Sequence, residues 1–304
     1  MSFLKRLTEP GPILLDGATG SELTRRAVDT GLPLWSAQAL VSAPEVLRQV
    51  HADYLRAGAE IITANTFRTH RRNLAHGGFG HRARELTAQA VAIARDAVWD
   101  YAAKQPGAPA RFVAGSMAPL EDCYSPELVP PQEQCEREHA EMAGHLAEAG
   151  VDLILAETMN TIREAVAAVK AARATGLPVM VSFTCGSNGR LLSGESVTAA
   201  FEAVAPLGVV GVLINCTPST TISQPFGELK ASAQSVPGRT LPIVGLYANI
   251  GHTDDVQGWT STDDVAPLEY AQLAASWLRQ GARLVGGCCG TTPAHIGAVR
   301  AIIG

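Results

Sequence analysis

Two adjacent cysteines near the end of the chain, in Gly286-Gly287-Cys288-Cys289-Gly290-Thr291-Thr292-Pro293, carry the first chemical signal. Neighbouring side chains on an extended strand point to opposite faces. The two thiols therefore converge on one point only if the backbone turns there, and the flanking glycines permit such a turn. Two thiolates converging at a strand–helix junction can hold a soft metal and leave a position open. Three other readings stand beside this one: small buried apolar cysteines, a vicinal disulfide, and a phosphate site at the start of the last helix.

Such a pair needs a scaffold. Eight short runs rich in Val, Ile, Leu and Ala read as parallel strands buried on both faces. They are Pro12–Ala18, Glu60–Thr66, Arg111–Met117, Asp152–Thr158, Pro178–Cys185, Val209–Cys216, Leu241–Asn249 and Arg283–Gly290. Helical patterns lie between them, as in Pro44–Ala57, where Val46, Leu47, Val50, Tyr54 and Leu55 share a face, and in Glu133–Ala149, with Cys135, His139, Met142 and Leu146 on one stripe. Thr161-Ile162-Arg163-Glu164 has the form of a capping box, and Thr292-Pro293 that of an N-cap followed by proline. Eight βα units predict an α/β fold, a single-domain (β/α)8 TIM barrel over residues 1–304. A doubly wound sheet would use fewer strands and show a nucleotide fingerprint, and no GxGxxG or Walker motif is present.

Composition narrows the partners. The net charge is -5 and no basic stretch occurs, which argues against nucleic acid or an anionic membrane surface. No apolar run is long enough to span a bilayer, and Met1–Leu7 lacks the apolar core of a secretory signal. Six cysteines are sparse for 304 residues. A cytoplasmic protein with reduced thiols or metal ligands, acting on small molecules, is the expectation.

In a (β/α)8 barrel the C-terminal strand ends converge on one mouth. Here they bring Asp16, Asn65, Ser116, Glu157, Thr184, Cys185, Asn215, Cys216, Asn249, Cys288 and Cys289. Cys216 ends the sixth run and Cys288 and Cys289 the eighth. Three protein ligands with a vacant fourth position is the usual catalytic zinc arrangement, and an all-sulfur site suits zinc and a sulfur substrate. Cys123, Cys135 and Cys185 are not expected as ligands. The stretch His70-Arg71-Arg72, with His76 and His81, reads as a solvated loop after the second strand.

Asp16-Gly17-Ala18-Thr19-Gly20, Leu34-Trp35-Ser36-Ala37, Glu157-Thr158, Asn215-Cys216 and Gly286–Pro293 together resemble the zinc-dependent homocysteine S-methyltransferases, over nearly the whole chain. The resemblance implies a Zn2+ cofactor held by Cys216, Cys288 and Cys289, with the homocysteine thiolate as fourth ligand. It implies that Asp16 and Gly17 contact the substrate's amino-acid end and that Glu157 receives its ammonium group. Asn65 and Asn249 could orient substrate or satisfy loop backbone. No acid–base residue is expected, since the reacting sulfur is activated by the metal and the product would be methionine.

The donor is less determined. A neutral thioether is a poor electrophile, so the methyl must come from an onium cation or a corrinoid. Leu34–Ala37 most resembles the branch using S-methylmethionine or S-adenosylmethionine, with Trp35 as a wall for a cationic donor. Betaine, a separate corrinoid protein, and a non-catalytic zinc or redox sensor are the alternatives. Where betaine-using relatives carry an aromatic residue, this chain has Arg68, which would oppose an onium group or hold a donor carboxylate. Tyr247–His252 departs from the Tyr-Pro-Asn-Ser-Gly-Glu of the S-methylmethionine branch.

Overall fold

Alternation along the strands explains how the chain closes around a core. The computed structural model describes residues 1–235, 242–254, 258–260 and 264–304, with backbone alone at 252–254 and 258–260. Its strands are β1 (Ile13–Leu14), β2 (Ile61–Ala64), β3 (Phe112–Met117), β4 (Leu153–Met159), β5 (Val179–Phe183), β6 (Gly211–Pro218), β7 (Ile243–Asn249), β8 (His252–Asp254), β9 (Gly258–Thr260) and β10 (Leu284–Gly287). Eight form one parallel sheet in the order β1-β10-β7-β6-β5-β4-β3-β2. The two edge strands meet through a parallel bridge between Leu15 and Ile61, which closes a (β/α)8 barrel. β8 and β9 form an antiparallel hairpin directly after β7.

Every second residue faces the barrel axis. Ile13, Leu15, Ile61, Phe112, Ala114, Leu153, Leu155, Met180, Leu213 and Leu284 form the inner cluster. Phe3, on a short helix Phe3–Thr8, plugs its lower end edge-on against Phe112, with centroids 5.3 Å apart. The opposite faces of the strands pack against the outer helices. Continuing the same alternation toward the C-terminal ends changes its chemistry. Thr63, Ser116, Glu157, Ser182, Asn215 and Tyr247 follow the apolar layers, so the floor of the mouth is polar.

The expected strands are present, with adjusted ends. The first ladder covers Ile13–Leu14 against β10, and on the β2 side the Asp16 carboxylate stands in for a backbone acceptor. Its Oδ2 accepts from the Thr63 amide at 2.7 Å and its Oδ1 from the Thr63 hydroxyl at 2.9 Å. Leu241, the expected start of the seventh strand, lies outside the described residues. The capping box at Thr161 is only half formed. Thr161 Oγ1 accepts from the Glu164 amide, but the Glu164 carboxylate turns inward to the Leu120 amide and His139. A reciprocal box forms instead at Thr292, with His295 as the returning partner.

Gly245 shows how closely β7 and β10 are packed. A Cβ there would sit 2.3 Å from the Leu284 carbonyl oxygen, a backbone atom that cannot rotate away. Gly245→Ala is expected to destabilise the protein by roughly 1–3 kcal/mol, read as a lower urea midpoint at unchanged m-value. An unchanged midpoint would show that β10, and with it Cys288, can shift outward freely.

Candidate metal centre and active site

The cysteine pair converges by a turn. The Thr291 amide donates to the Cys288 carbonyl at 3.0 Å, and Gly290 sits in the left-handed region at φ +86°. Gly287 lets Thr291 lie against β10, since a Cβ there would be 2.3 Å from Thr291 Oγ1. Gly17 faces the same hydroxyl from the other side, with Cβ clearance of only 2.7 Å. Thr291 Oγ1 donates to the Cys288 carbonyl and accepts from the Ala18 amide, which ties the first and last βα loops together.

Cys216 reaches the same point by a different device. It adopts φ +49°, and the β6–β7 register shifts between Asn215 and Pro218. Thr158, after Glu157 on β4, adopts φ +62° beside a matching shift. A left-handed conformation costs a non-glycine residue about 1–2 kcal/mol, and for a β-branched residue it is an outlier. One side chain holds the second of these. Asn215 Oδ1 accepts from the Thr158 amide at 3.1 Å, and its Nδ2 donates to Thr158 Oγ1 at 2.8 Å. Strain held by surrounding structure in this way is typical of functional sites.

The three sulfurs of Cys216, Cys288 and Cys289 lie within 4.8 Å of one another. Cys216 Sγ is 3.4 Å from Cys288 Sγ and 3.8 Å from Cys289 Sγ. A tetrahedral metal with metal–sulfur bonds of about 2.3 Å separates its sulfurs by about 3.8 Å, so the donor set fits. None of the six cysteines forms a disulfide, which sets aside the vicinal disulfide. Hydrogen bonds from Cys288 and Cys289 hold the Cys216 thiol well below its ordinary pKa, with Tyr124 and Asn249 acting in the same direction. The same contact to Cys216 holds the proton on Cys288. Cys185 is elsewhere, in the outer core, and burial pushes its thiol up to about 12.

Two carboxylates complete the chamber. Glu157 is 8% exposed and Asp16 2%. Glu157 is held by the Ser116 hydroxyl and by the Tyr247 hydroxyl at 3.0 Å. Tyr247 is in turn 2.6 Å from Ser182, which bonds Asn215 at 2.8 Å. One network thus runs from Glu157 to the residue beside Cys216. Burial raises both acids to about 7, Thr63 opposing it at Asp16 and Ser116 and Tyr247 at Glu157. Neither owes any part of its shift to a protein cation. Two acids buried side by side in this way favour a cationic ligand.

This arrangement has a pH signature. Both folded-state values lie above the unfolded ones, so the stability they contribute is complete below about pH 4 and is lost as pH rises through about 7. His51 and His70, buried with values lowered by desolvation to about 4 and about 3, act oppositely. The comparison with Glu157→Gln removes them. From about pH 5 to about pH 8 the ligand-free wild type is expected to lose on the order of 3 kcal/mol relative to that variant. Parallel pH–stability curves would show that Glu157 is not desolvated.

The other expected residues have mixed placements. Asn249 is 1% exposed, hydrogen-bonds Cys216, and keeps its Oδ1 without a partner. Asn65 donates to the Ser36 carbonyl at 2.8 Å and so fixes the loop that carries Trp35. Trp35, at φ +47°, stands edge-on to Phe67, with centroids 5.7 Å apart. Tyr124 was not anticipated: its hydroxyl lies 3.2 Å from Cys216 Sγ. It sits in an irregular loop after β3 that no periodicity marks. Tyr247 and Ser182 were open to detection, as polar residues on the inward phase of their strands.

Comparison with known proteins agrees with this geometry. A family model described as homocysteine S-methyltransferase matches residues 13–303. The homocysteine S-methyltransferase of Escherichia coli (strain K12) is 34% identical over 309 residues, covering 95% of this chain and 94% of that protein. Homocysteine S-methyltransferase YbgG of Bacillus subtilis (strain 168) is 31% identical, covering 93% and 92%. The solved structure of the homocysteine methyltransferase MmuM from Escherichia coli in its metallated form superposes with a TM-score of 0.84 at 29% identity, covering 98% of each chain.

Proposed function

The chain belongs to the homocysteine S-methyltransferase family, and from that premise we propose a zinc enzyme that moves a methyl group from a sulfonium donor to homocysteine, giving methionine. The observation that carries the reading is the convergence of Cys216, Cys288 and Cys289 at tetrahedral spacing. These three thiolates would hold the metal. When bound, zinc supplies the Lewis acidity that lowers the substrate thiol from its ordinary value near ~8.5 and makes a thiolate available at neutral pH.

The protein's own work is positioning. Glu157 receives the ammonium of homocysteine. Asp16, whose carboxylate is engaged by Thr63, fixes the Gly17 backbone against which the amino-acid end lies. Tyr124 and Asn249 bond Cys216 and orient its sulfur. Trp35 and Phe67 form the aromatic wall that faces the cationic donor. Held in line, the homocysteine sulfur displaces a thioether: its C–S bond forms as the donor's C–S bond breaks, and the electron pair leaves on the donor sulfur. With S-methylmethionine the departing thioether is itself methionine.

Among the described residues no helix is long and apolar enough to cross a membrane. Six cysteines with no disulfide among them suit a reducing compartment, and we place the reaction in the cytoplasm. The deciding experiment offers homocysteine with S-methylmethionine, S-adenosylmethionine, betaine or a methyl-corrinoid protein to enzyme purified without chelator, and scores methionine and bound metal. Zinc near one per chain and turnover with a sulfonium are expected. Turnover only with betaine or the corrinoid protein, or full activity without metal, would overturn the reading.

A further inference from the structure

The Tyr124 hydroxyl, 3.2 Å from Cys216 Sγ, is brought there by a loop anchored along its length. Side chains from the βα units on either side hold this loop, which follows β3. Glu164 Oε1 accepts from the Leu120 amide at 2.8 Å, and Asn73 Nδ2 donates to the Leu120 carbonyl at 3.3 Å. Arg72 bridges Glu121 on the loop to Glu138 on the helix Gln132–Ala149. Asn160, directly after β4, donates to the Cys123 carbonyl at 3.0 Å. The Tyr124 amide itself donates to Asp122 Oδ1 at 3.1 Å. The backbone on the N-terminal side of Tyr124 is thus fixed to the same strand that carries Glu157, and the hydroxyl is held against one sulfur of the cluster.

On the methyl-transfer reading above, the cysteine sulfurs and the homocysteine sulfur are all thiolates gathered at one point, and a thiolate is the nucleophile in sulfur alkylation. A sulfonium could therefore methylate a cysteine. A C–S bond would form on Sγ, the donor's C–S bond would break with its electron pair leaving on the donor sulfur, and the neutral thioether left on the cysteine would be a poor metal ligand. A thiolate has no proton to give, so in the contact with Cys216 the Tyr124 hydroxyl is the donor. A hydrogen bond to an ionised acceptor is about twice as strong as a neutral one. Methylating Cys216 gives up that bond and leaves the hydroxyl without its acceptor. We propose that Tyr124 shields Cys216 from the methyl donor, so that the methyl group passes to the substrate sulfur and not to the metal ligand. The inference rests on the methyl-transfer reading and adds how the site chooses among its own sulfurs.

The test exposes metal-loaded enzyme to methyl iodide, a small electrophile that needs no donor site, and follows methylation of each cysteine by fragmentation mass spectrometry. Tyr124→Phe keeps the ring and removes the hydroxyl. It is expected to speed methylation of Cys216 by about 10- to 100-fold, the weight of one hydrogen bond to a charged group, while Cys288 and Cys289 react as in wild type. Bound metal is measured before exposure. Asn160→Ala, which keeps the hydroxyl and frees the loop, should show a smaller rise at Cys216 alone, and it carries the test if Tyr124→Phe does not retain metal. No rise at Cys216 in the metal-bound variant, or an equal rise at all three cysteines, would overturn the assignment. Methyl iodide bypasses the donor site, so a failure of wild type to form methionine with any sulfonium would count against the methyl-transfer reading itself, a separate outcome.

Discussion

Replacing Cys216 with serine is expected to strip the metal and to lower methyl transfer by ~10³-fold or more, since losing even an outer partner of a metal ligand typically costs about 10–100-fold. Cys216 is the choice among the three because it is the hub. It contacts both other sulfurs, and Tyr124 and Asn249 both bond it. Serine preserves size, and the Asn215 bonds to Thr158 do not use the sulfur, so the barrel should fold with an unchanged far-ultraviolet spectrum. Metal analysis and kcat/KM for homocysteine are the readouts. A metal-free Cys216→Ser enzyme with wild-type turnover would remove the three-thiolate site from the mechanism.

The second large effect concerns Glu157. Glu157→Gln should raise KM for homocysteine about 10²-fold while leaving bound metal unchanged, because truncating one partner of a buried charge pair typically costs 2–5 kcal/mol. Glutamine keeps the length and an oxygen for Ser116 or Tyr247, so the loss isolates charge from shape. The control is 4-mercaptobutyrate, which carries the thiol and carboxylate without the amine. Its weak reaction should be indifferent to the substitution. An equal loss with both thiols would assign Glu157 to the framework instead of the ammonium.

Much of this was legible in the residues. Eight apolar runs between helical patterns specify the barrel, because strands buried on both faces leave few other topologies. The glycine-flanked Cys288-Cys289 pair announces its turn, since only a turn brings neighbouring thiols together. Less legible were features built from single interactions. Nothing in the local sequence marks Thr158 and Cys216 as left-handed, as neither is glycine and the bonds that hold Thr158 come from a distant strand. On the β2 side of β1 one carboxylate, that of Asp16, replaces a backbone acceptor. Glu164 satisfies the spacing of a capping box, yet tertiary partners at Leu120 and His139 outcompete the helix terminus. Tyr124 reaches Cys216 from irregular backbone, where periodicity has no purchase.

The clamp made by Asn215 has a consequence for substrate choice. It bonds the backbone just after Glu157 and is itself the residue before Cys216. The carboxylate and the sulfur cluster are therefore not two independently placed groups; they are the two ends of a ruler cut to one length. A thiol acid that spans both marks must have the matching number of methylenes between amine and sulfur. On the proposed reading, cysteine, one carbon shorter than homocysteine, is expected to be a poorer acceptor, because Glu157 and the sulfur cluster are tied to one frame.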